Sequence, residues 1–232
     1  MKKVAVYTGS RNLYPLMVPA VKSLLKWSSV DEVWLFIEDD EFPERLPECV
    51  KTRNVSNQQY FPEGSANMRS FFTYFALMRA ALCHEFPDLD IILSLDVDTI
   101  CVGPVDELWD TPMDGFYFSA AIEPHRSIGG LEYCNTGVSL YNLKLLRESG
   151  KADEVIRVLN KHSFNWVEQD VFSYLCQGGI RQMSASFNSC PWVLPHDCTR
   201  IVHYAGKREW ARENDYRIAE ALTWEEVLGD RK

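Results

Sequence analysis

Apolar positions along this chain follow two periods. Short runs at residues 4–7, 32–37, 90–95, 116–122, 138–143 and 201–204 are rich in β-branched, aliphatic and aromatic side chains, and they predict strands. Between them, apolar residues return every three or four positions. In residues 15–27, Leu16, Met17, Val21, Leu24 and Leu25 form such a stripe behind the polar opening Ser10-Arg11-Asn12, which predicts a helix. A longer helix is predicted over residues 66–83, with Phe71, Phe72, Phe75, Met78 and Leu82 on or near one face as a core stripe. Residues 151–162, 168–176 and 224–228 predict three more. Alternating strands and helices imply an α/β fold with a mostly parallel, doubly wound central sheet flanked by helices. With no internal repeat or linker, the expectation is a single domain over residues 1–232.

One strand stands apart by how it ends. Ile91-Ile92-Leu93-Ser94-Leu95 runs straight into Asp96-Val97-Asp98. Side chains alternate faces in extended chain, so Asp96 and Asp98 point the same way while Val97 returns to the core. Two hard oxygen ligands can then grip one divalent ion. The positions that they leave open suit phosphate oxygens, so the expected ligand is a nucleotide diphosphate or a similar compound. Asp88-Leu89-Asp90 has the same spacing but enters the strand, whereas open α/β sheets bind ligands beyond the carboxyl ends of their strands. Paired aspartates at a strand end also serve as turn formers and caps, and spacing alone does not separate the two roles.

Composition narrows the partners. A formal net charge of -9 argues against nucleic acid, which needs a basic patch, so an anionic ligand must be neutralised locally. Seven cysteines, an odd number without Cys-x-x-Cys pairing, read as reduced thiols and point to a cytoplasmic protein. The first apolar run is too short for a signal peptide, and no segment is long enough for a transmembrane span. Homo-oligomerisation is left open.

Beyond Asp98 the chain continues Thr99-Ile100-Cys101-Val102-Gly103-Pro104, and this block resembles the Leu-Asp-x-Asp-Thr signature of glycosyltransferase family 8. Further blocks appear in the matching order: Tyr7-Thr8-Gly9 with Tyr14, Cys134-Asn135-Thr136-Gly137-Val138, Glu168-Gln169-Asp170-Val171-Phe172, and His203-Tyr204-Ala205-Gly206-Lys207 through Trp210. The resemblance implies a GT-A type nucleotide-sugar-binding fold. It further implies a metal triad of Asp96, Asp98 and His203. An imidazole among oxygens favours Mn2+, with Mg2+ as the other candidate. Gly206 would let backbone approach the diphosphate and Lys207 would supply charge. The family's usual lysine, six residues after the histidine, is replaced here by Glu209, so the contact falls to Lys207 or Arg208. By the same resemblance Thr8 and Tyr14 meet the uridine. Arg69, at the opening of the predicted long helix, reaches donor sugar or phosphate. Asn135 and Gly137 form a turn before a strand and meet sugar hydroxyls, and Glu168 and Gln169 face the hexose.

The resulting expectation is a metal-dependent, retaining hexosyltransferase that moves glucose or galactose from a UDP-sugar to an acceptor hydroxyl of a glycan, a lipid-linked sugar or a small molecule. A front-face mechanism is expected because Gln169 is a poor nucleophile, with Asp170 as an alternative carboxylate. Two rivals stay open. Asp96-Val97-Asp98-Thr99 also resembles the nucleophile motif of haloacid-dehalogenase-like phosphatases, and the altered segment from Lys207 to Trp210 leaves room for a non-catalytic nucleotide-sugar binder.

Overall fold

The computed structural model describes residues 2–70, 72–193, 198–207 and 209–229. Phe71 of the expected stripe and Arg208 of the expected phosphate turn lie outside them. The strands are β1 (Val4–Thr8), β2 (Glu32–Ile37), β3 (Val50–Asn54), β4 (Ile91–Leu95), β5 (Thr99–Cys101), β6 (Phe118–Ile128), β7 (Leu131–Asn142), β8 (Ile180–Gln182) and β9 (Ile201–His203). The helices are α1 (Tyr14–Trp27), α2 (Thr73–Leu77), α3 (Leu82–Glu85), α4 (Leu143–Glu148), α5 (Lys151–Lys161), α6 (Val167–Leu175), α7 (Asn214–Ala221) and α8 (Trp224–Leu228).

Seven strands form one sheet in the order β3-β2-β1-β4-β7-β6-β8. Strands β3, β2, β1 and β4 pair in parallel, as do β6 and β8, while β7 runs antiparallel to both β4 and β6. Alternation explains how both faces are covered. Val4 and Val6 of β1 enter the core under α2, α3, α5 and α6, whereas Ala5 and Tyr7 enter the core under α1. A strand buried on both faces needs an unbroken apolar run, and each such side chain contributes about 1.5–3 kcal/mol. This is why β1, β2 and β4 were readable.

Three expectations are corrected. The helix predicted over residues 66–83 does not form as one piece. Residues 66–70 are turns, α2 begins at Thr73, and a 3-10 turn at Met78–Ala81 separates it from α3. Thr73 has φ 59, a left-handed conformation that no continuous right-handed helix passes through, and the Asn67 amide holds the preceding segment by donating to the carbonyls of Leu159 and His162. Arg69 is therefore exposed on a turn and does not open a helix. Nor do Asn135 and Gly137 form a turn ahead of a strand. They lie inside β7, where Ala120 pairs with Ser139 but Ala121 pairs with Asn135, so the intervening residues bulge away from β6. The predicted strand at 138–143 is the second half of that longer strand.

Candidate active site

The site is assembled where β4 ends. Asp96 N donates to Gly137 O at 2.8 Å, and Thr99 closes a turn by donating through N and Oγ1 to Asp96 O. The chain then enters β5, whose antiparallel partner β9 sets Thr99 opposite His203. Tyr204 N donates to Asp98 O at 2.9 Å and locks that register. His203 Nε2 consequently lies 3.5 Å from Asp96 Oδ2 and 3.4 Å from Asp98 Oδ1. One ligand atom from each of the three residues lies within 4.8 Å of the others.

These residues fit a divalent ion. His203 Nδ1 sits 2.7 Å from Asn188 Oδ1, and the Asn188 amide donates to Asn135 Oδ1 at 2.9 Å, so its oxygen faces the ring and fixes the proton on Nδ1. Nε2 is left to bind a metal, and outer partners of this kind orient metal-ligating imidazoles. The electrostatics agree. Burial alone would lower the His203 pKa, but the charge and hydrogen bond of Asp98, with Cys190, raise it to about 9. Burial would raise Asp98, yet His203 holds it below its ordinary value. The cluster is built to hold positive charge. It also has a steric requirement, because a Cβ on Gly137 would come 2.1 Å from His203 Cε1. Only glycine leaves room for the ring.

Beside the cluster opens a cavity of about 670 Å³, its mouth included. Asp96, Asp98 and His203 line one side, and Arg79, Thr136, Glu168 and Gln169 another. The Arg79 guanidinium is 5% exposed and joins the two halves: Nη2 donates to Asp96 Oδ1 and Nη1 to Glu168 Oε1 at 2.5 Å. Burial pushes the Glu168 carboxyl up, with Arg79 opposing that rise. Glu168 Oε2 and Arg79 Nε are buried without a hydrogen-bond partner within the protein. Gln169 is held at both ends, with Oε1 accepting from Thr136 N at 2.9 Å and Nε2 donating to the Tyr133 hydroxyl at 3.0 Å. Asp170 is similarly engaged: Oδ1 accepts from Tyr133 and Oδ2 from Trp166 N at 3.0 Å. Val167, at φ 38, starts α6 in a left-handed conformation that costs a β-branched residue of order 1–3 kcal/mol. That entry angle turns Glu168 and Gln169 into the cavity.

The other expected residues divide. Asn135 lines the cavity, but its amide is engaged within the protein, donating to Glu123 Oε1 at 2.8 Å and accepting from Gly137 N and Asn188. Gly206 lines it too, at φ 75. Lys207 does not, and its ammonium pairs with Glu213 at 2.6 Å. Thr8 ends β1 outside the cavity wall. Tyr14 also stands apart: it is 2% exposed, packs on Phe42 with ring centroids 5.1 Å apart, accepts from Glu38 N and donates to Asp39 Oδ2. Arg69 is outside the lining as well. Sequence reasoning missed Arg79, Asn188, Glu123, Thr136 and the rim residues Arg126, Trp166 and Trp192. Arg79 did carry a signal, as the one charged residue in the apolar stretch from Phe75 to Cys83. Asn188 carried none.

The mostly parallel seven-stranded sheet with its flanking helices has the GT-A fold of the solved glycosyltransferases on which it superposes. Residues 40–213 match Glycosyl transferase family 8, and the chain belongs to that family. A Haemophilus influenzae protein named only as a glycosyltransferase is 26% identical over 159 residues, covering 63% of this chain and 46% of that protein. Glycosyltransferase GlyB of Streptococcus pneumoniae is 19% identical across 97% of this chain and 63% of its own length. The chain thus spans about half to two thirds of these relatives. Among solved structures, the Streptococcus pneumoniae glycosyltransferase GlyE superposes with TM-score 0.74 at 17% identity, covering 98% of this chain and 62% of that one. The galactosyltransferase LgtC, described in complex with donor and acceptor sugar analogues, gives TM-score 0.67 at 20% identity over 95% of this chain and 96% of its own. Family membership sets the chain among the glycosyltransferases by sequence. It removes the phosphatase alternative, and geometry concurs, since Arg79 holds one oxygen of Asp96 and the other faces His203.

Proposed function

We propose that this chain is one catalytic domain of a metal-dependent, retaining hexosyltransferase, taking glucose or galactose from a UDP-sugar to an acceptor hydroxyl. The observation that carries the reading is that Asp96, Asp98 and His203 open into the same cavity as Glu168 and Gln169. A divalent ion held by that triad, manganese in preference to magnesium because of the imidazole, would offset the charge that builds on the leaving diphosphate. Gly206 brings backbone to the cavity wall without a side chain, where the diphosphate can approach. Glu168, through its unpartnered Oε2, accepts from a hexose hydroxyl, and Arg79 holds that carboxylate in place.

Retention by double displacement would need a free nucleophile on the far side of the anomeric carbon. Gln169 has both amide ends engaged and Asp170 both oxygens, so neither residue is free for that role. With the free oxygen of Glu168 given to a hexose hydroxyl, front-face departure and attack is the reading, with Gln169 fixing the sugar. Thr8 and Tyr14 would serve uridine only if Tyr14 left its contacts with Asp39 and Phe42. Seven cysteines without a Cys-x-x-Cys pair are consistent with a reducing, cytoplasmic setting.

A screen of nucleotide sugars with Mn2+, reading release of the nucleoside diphosphate by slow hydrolysis, tests the reading. UDP release from a hexose donor, lost in Asp98→Asn, is expected; no release from any donor overturns it. The pairing of Lys207 with Glu213, away from the cavity, favours one other reading, a nucleotide-sugar binder without turnover. Calorimetric uptake of donor with no UDP produced would establish that instead.

A further inference from the structure

Glu123 is a buried carboxylate at the cavity wall, and the chemistry described above gives it no task. It lies on β6 two residues beyond Ala121, the cross-strand partner of Asn135, so alternation sets its side chain on the same face as that amide and diagonal to it. Glu123 Oε1 accepts from Asn135 Nδ2 at 2.8 Å. Asn135 Oδ1 in turn accepts from Gly137 N at 3.1 Å and from Asn188 Nδ2 at 2.9 Å, and Asn188 Oδ1 meets His203 Nδ1 at 2.7 Å. Glu123, Asn135, Asn188 and His203 are each no more than 5% exposed, so solvent does not compete for these bonds.

A side-chain amide can sit either way round, because its oxygen and nitrogen have nearly the same shape, whereas an ionised carboxylate only accepts. With Glu123 at one end, Asn135 turns its nitrogen toward that carboxylate and its oxygen toward Asn188. Asn188 then turns its oxygen toward the ring, and the imidazole proton is drawn to Nδ1. The second oxygen of Glu123 is claimed as well, since Arg126 Nη1 lies 3.2 Å from Oε2. Arg126 is itself held in place, its guanidinium 4.5 Å from the ring centre of Trp166 and 5.2 Å from that of Tyr133. Burial pushes the Glu123 carboxyl up, and Asn135 and Arg126 oppose that rise. Two donors thus face one side chain, and only a carboxylate has an oxygen for each.

We propose that Glu123 is a positioning residue for the metal centre, setting the direction of a hydrogen-bond chain through Asn135 and Asn188 that presents His203 Nε2 to the divalent ion. This rests on the metal reading above. Glu123 acts through the two amides and not by contact with the ion. Glutamine is the discriminating replacement, because it keeps the shape but has a single oxygen, and the charged donor Arg126 takes it. In Glu123→Gln the new amide nitrogen therefore faces the Asn135 nitrogen, donor against donor, and the chain loses its direction. Adding Arg126→Met removes the rival donor while a flexible apolar side chain still covers Trp166, so the glutamine oxygen turns back to Asn135.

Two measurements on the whole chain test this. Calorimetric titration with Mn2+ should show binding about tenfold weaker in Glu123→Gln, and within about threefold of wild type when Arg126→Met is added. In metal-free protein with isotope-labelled histidine, the His203 Nδ1 proton, identified by its absence in His203→Gln, should exchange slowly with solvent in wild type. Its exchange should be about tenfold faster or more in Glu123→Gln and slow again in the double variant. Mn2+ affinity within about twofold of wild type in Glu123→Gln overturns the proposal. So does a loss in the double variant as large as in the single one, which is what a residue that only fills space would give. Wild-type protein that takes up no Mn2+, alone or with UDP, defeats the metal reading instead, and the proton exchange still decides the chain.

Discussion

Arg79 touches both halves of the site, and its loss should be felt as stability before chemistry. Removing it leaves Glu168 buried with an uncompensated carboxyl, the arrangement that costs most for a buried pair. Arg79→Ala should therefore unfold at lower denaturant, by about 3–5 kcal/mol, whereas Arg79→Met combined with Glu168→Leu should recover most of that stability and still release no UDP. Equal losses in the single and double variants would show that the pair is not the source. Asn188 acts one step away from the ion. Without it, His203 Nδ1 has no fixed acceptor, so Asn188→Ala should weaken Mn2+ binding about 10–100-fold by calorimetry, and the buried partners that it leaves unmet should lower the melting temperature by a few degrees. An unchanged affinity would mean that the imidazole is oriented by the Thr99 pairing alone.

Elements were legible where burial makes a strand apolar throughout, and illegible where geometry depends on contacts distant in sequence. β1, β2 and β4 stood out for that reason. β3, with Lys51, Thr52 and Arg53, is a half-polar edge strand, and α7 has a weakly patterned surface face; nothing in their periodicity announced either. The long helix failed because one left-handed residue, Thr73, breaks a pattern that reads smoothly through it. The triad was visible through residue types and order, but the bulge in β7 that brings Gly137 under His203 was not, because it depends on how β6 pairs. The edge also contains a pH-sensitive tie. Burial would raise Glu32, but Lys2 and Lys51 hold its carboxyl down at about 2. A depressed carboxylate adds stability above its unfolded value near 4.5 and loses it as pH falls through about 2. Because both lysines are partly exposed, the contribution is discounted to about 1 kcal/mol. Glu32→Gln should lower the melting temperature at pH 7 by a few degrees, and the difference from wild type should shrink below pH 4 and vanish near pH 2. A gap that persists in acid would assign the effect to packing.

At the scale of the whole molecule, a chain of net charge -9 that is to take up a diphosphate, as proposed, must concentrate its compensating charge in one place. On the proposed function, Asp96, Asp98 and His203 would do this by recruiting a cation. Chelation should abolish donor hydrolysis, and Mn2+ with UDP should raise the melting point together where UDP alone does not. At about 100 times Kd, mass action gives about 2.7 kcal/mol, roughly 5–10 °C for a chain of this size. An equal shift from UDP without metal would point to a cation-independent site.

Gly137 has a consequence for how this sequence can change over time. The space that any side chain there would need already contains an imidazole, so the identities at 137 and 203 are tied by volume. In a library randomised at both positions and selected for sugar transfer, every survivor that keeps histidine at 203 should carry glycine at 137. Alanine, the mildest exchange elsewhere in β7, should be as rare there as tryptophan.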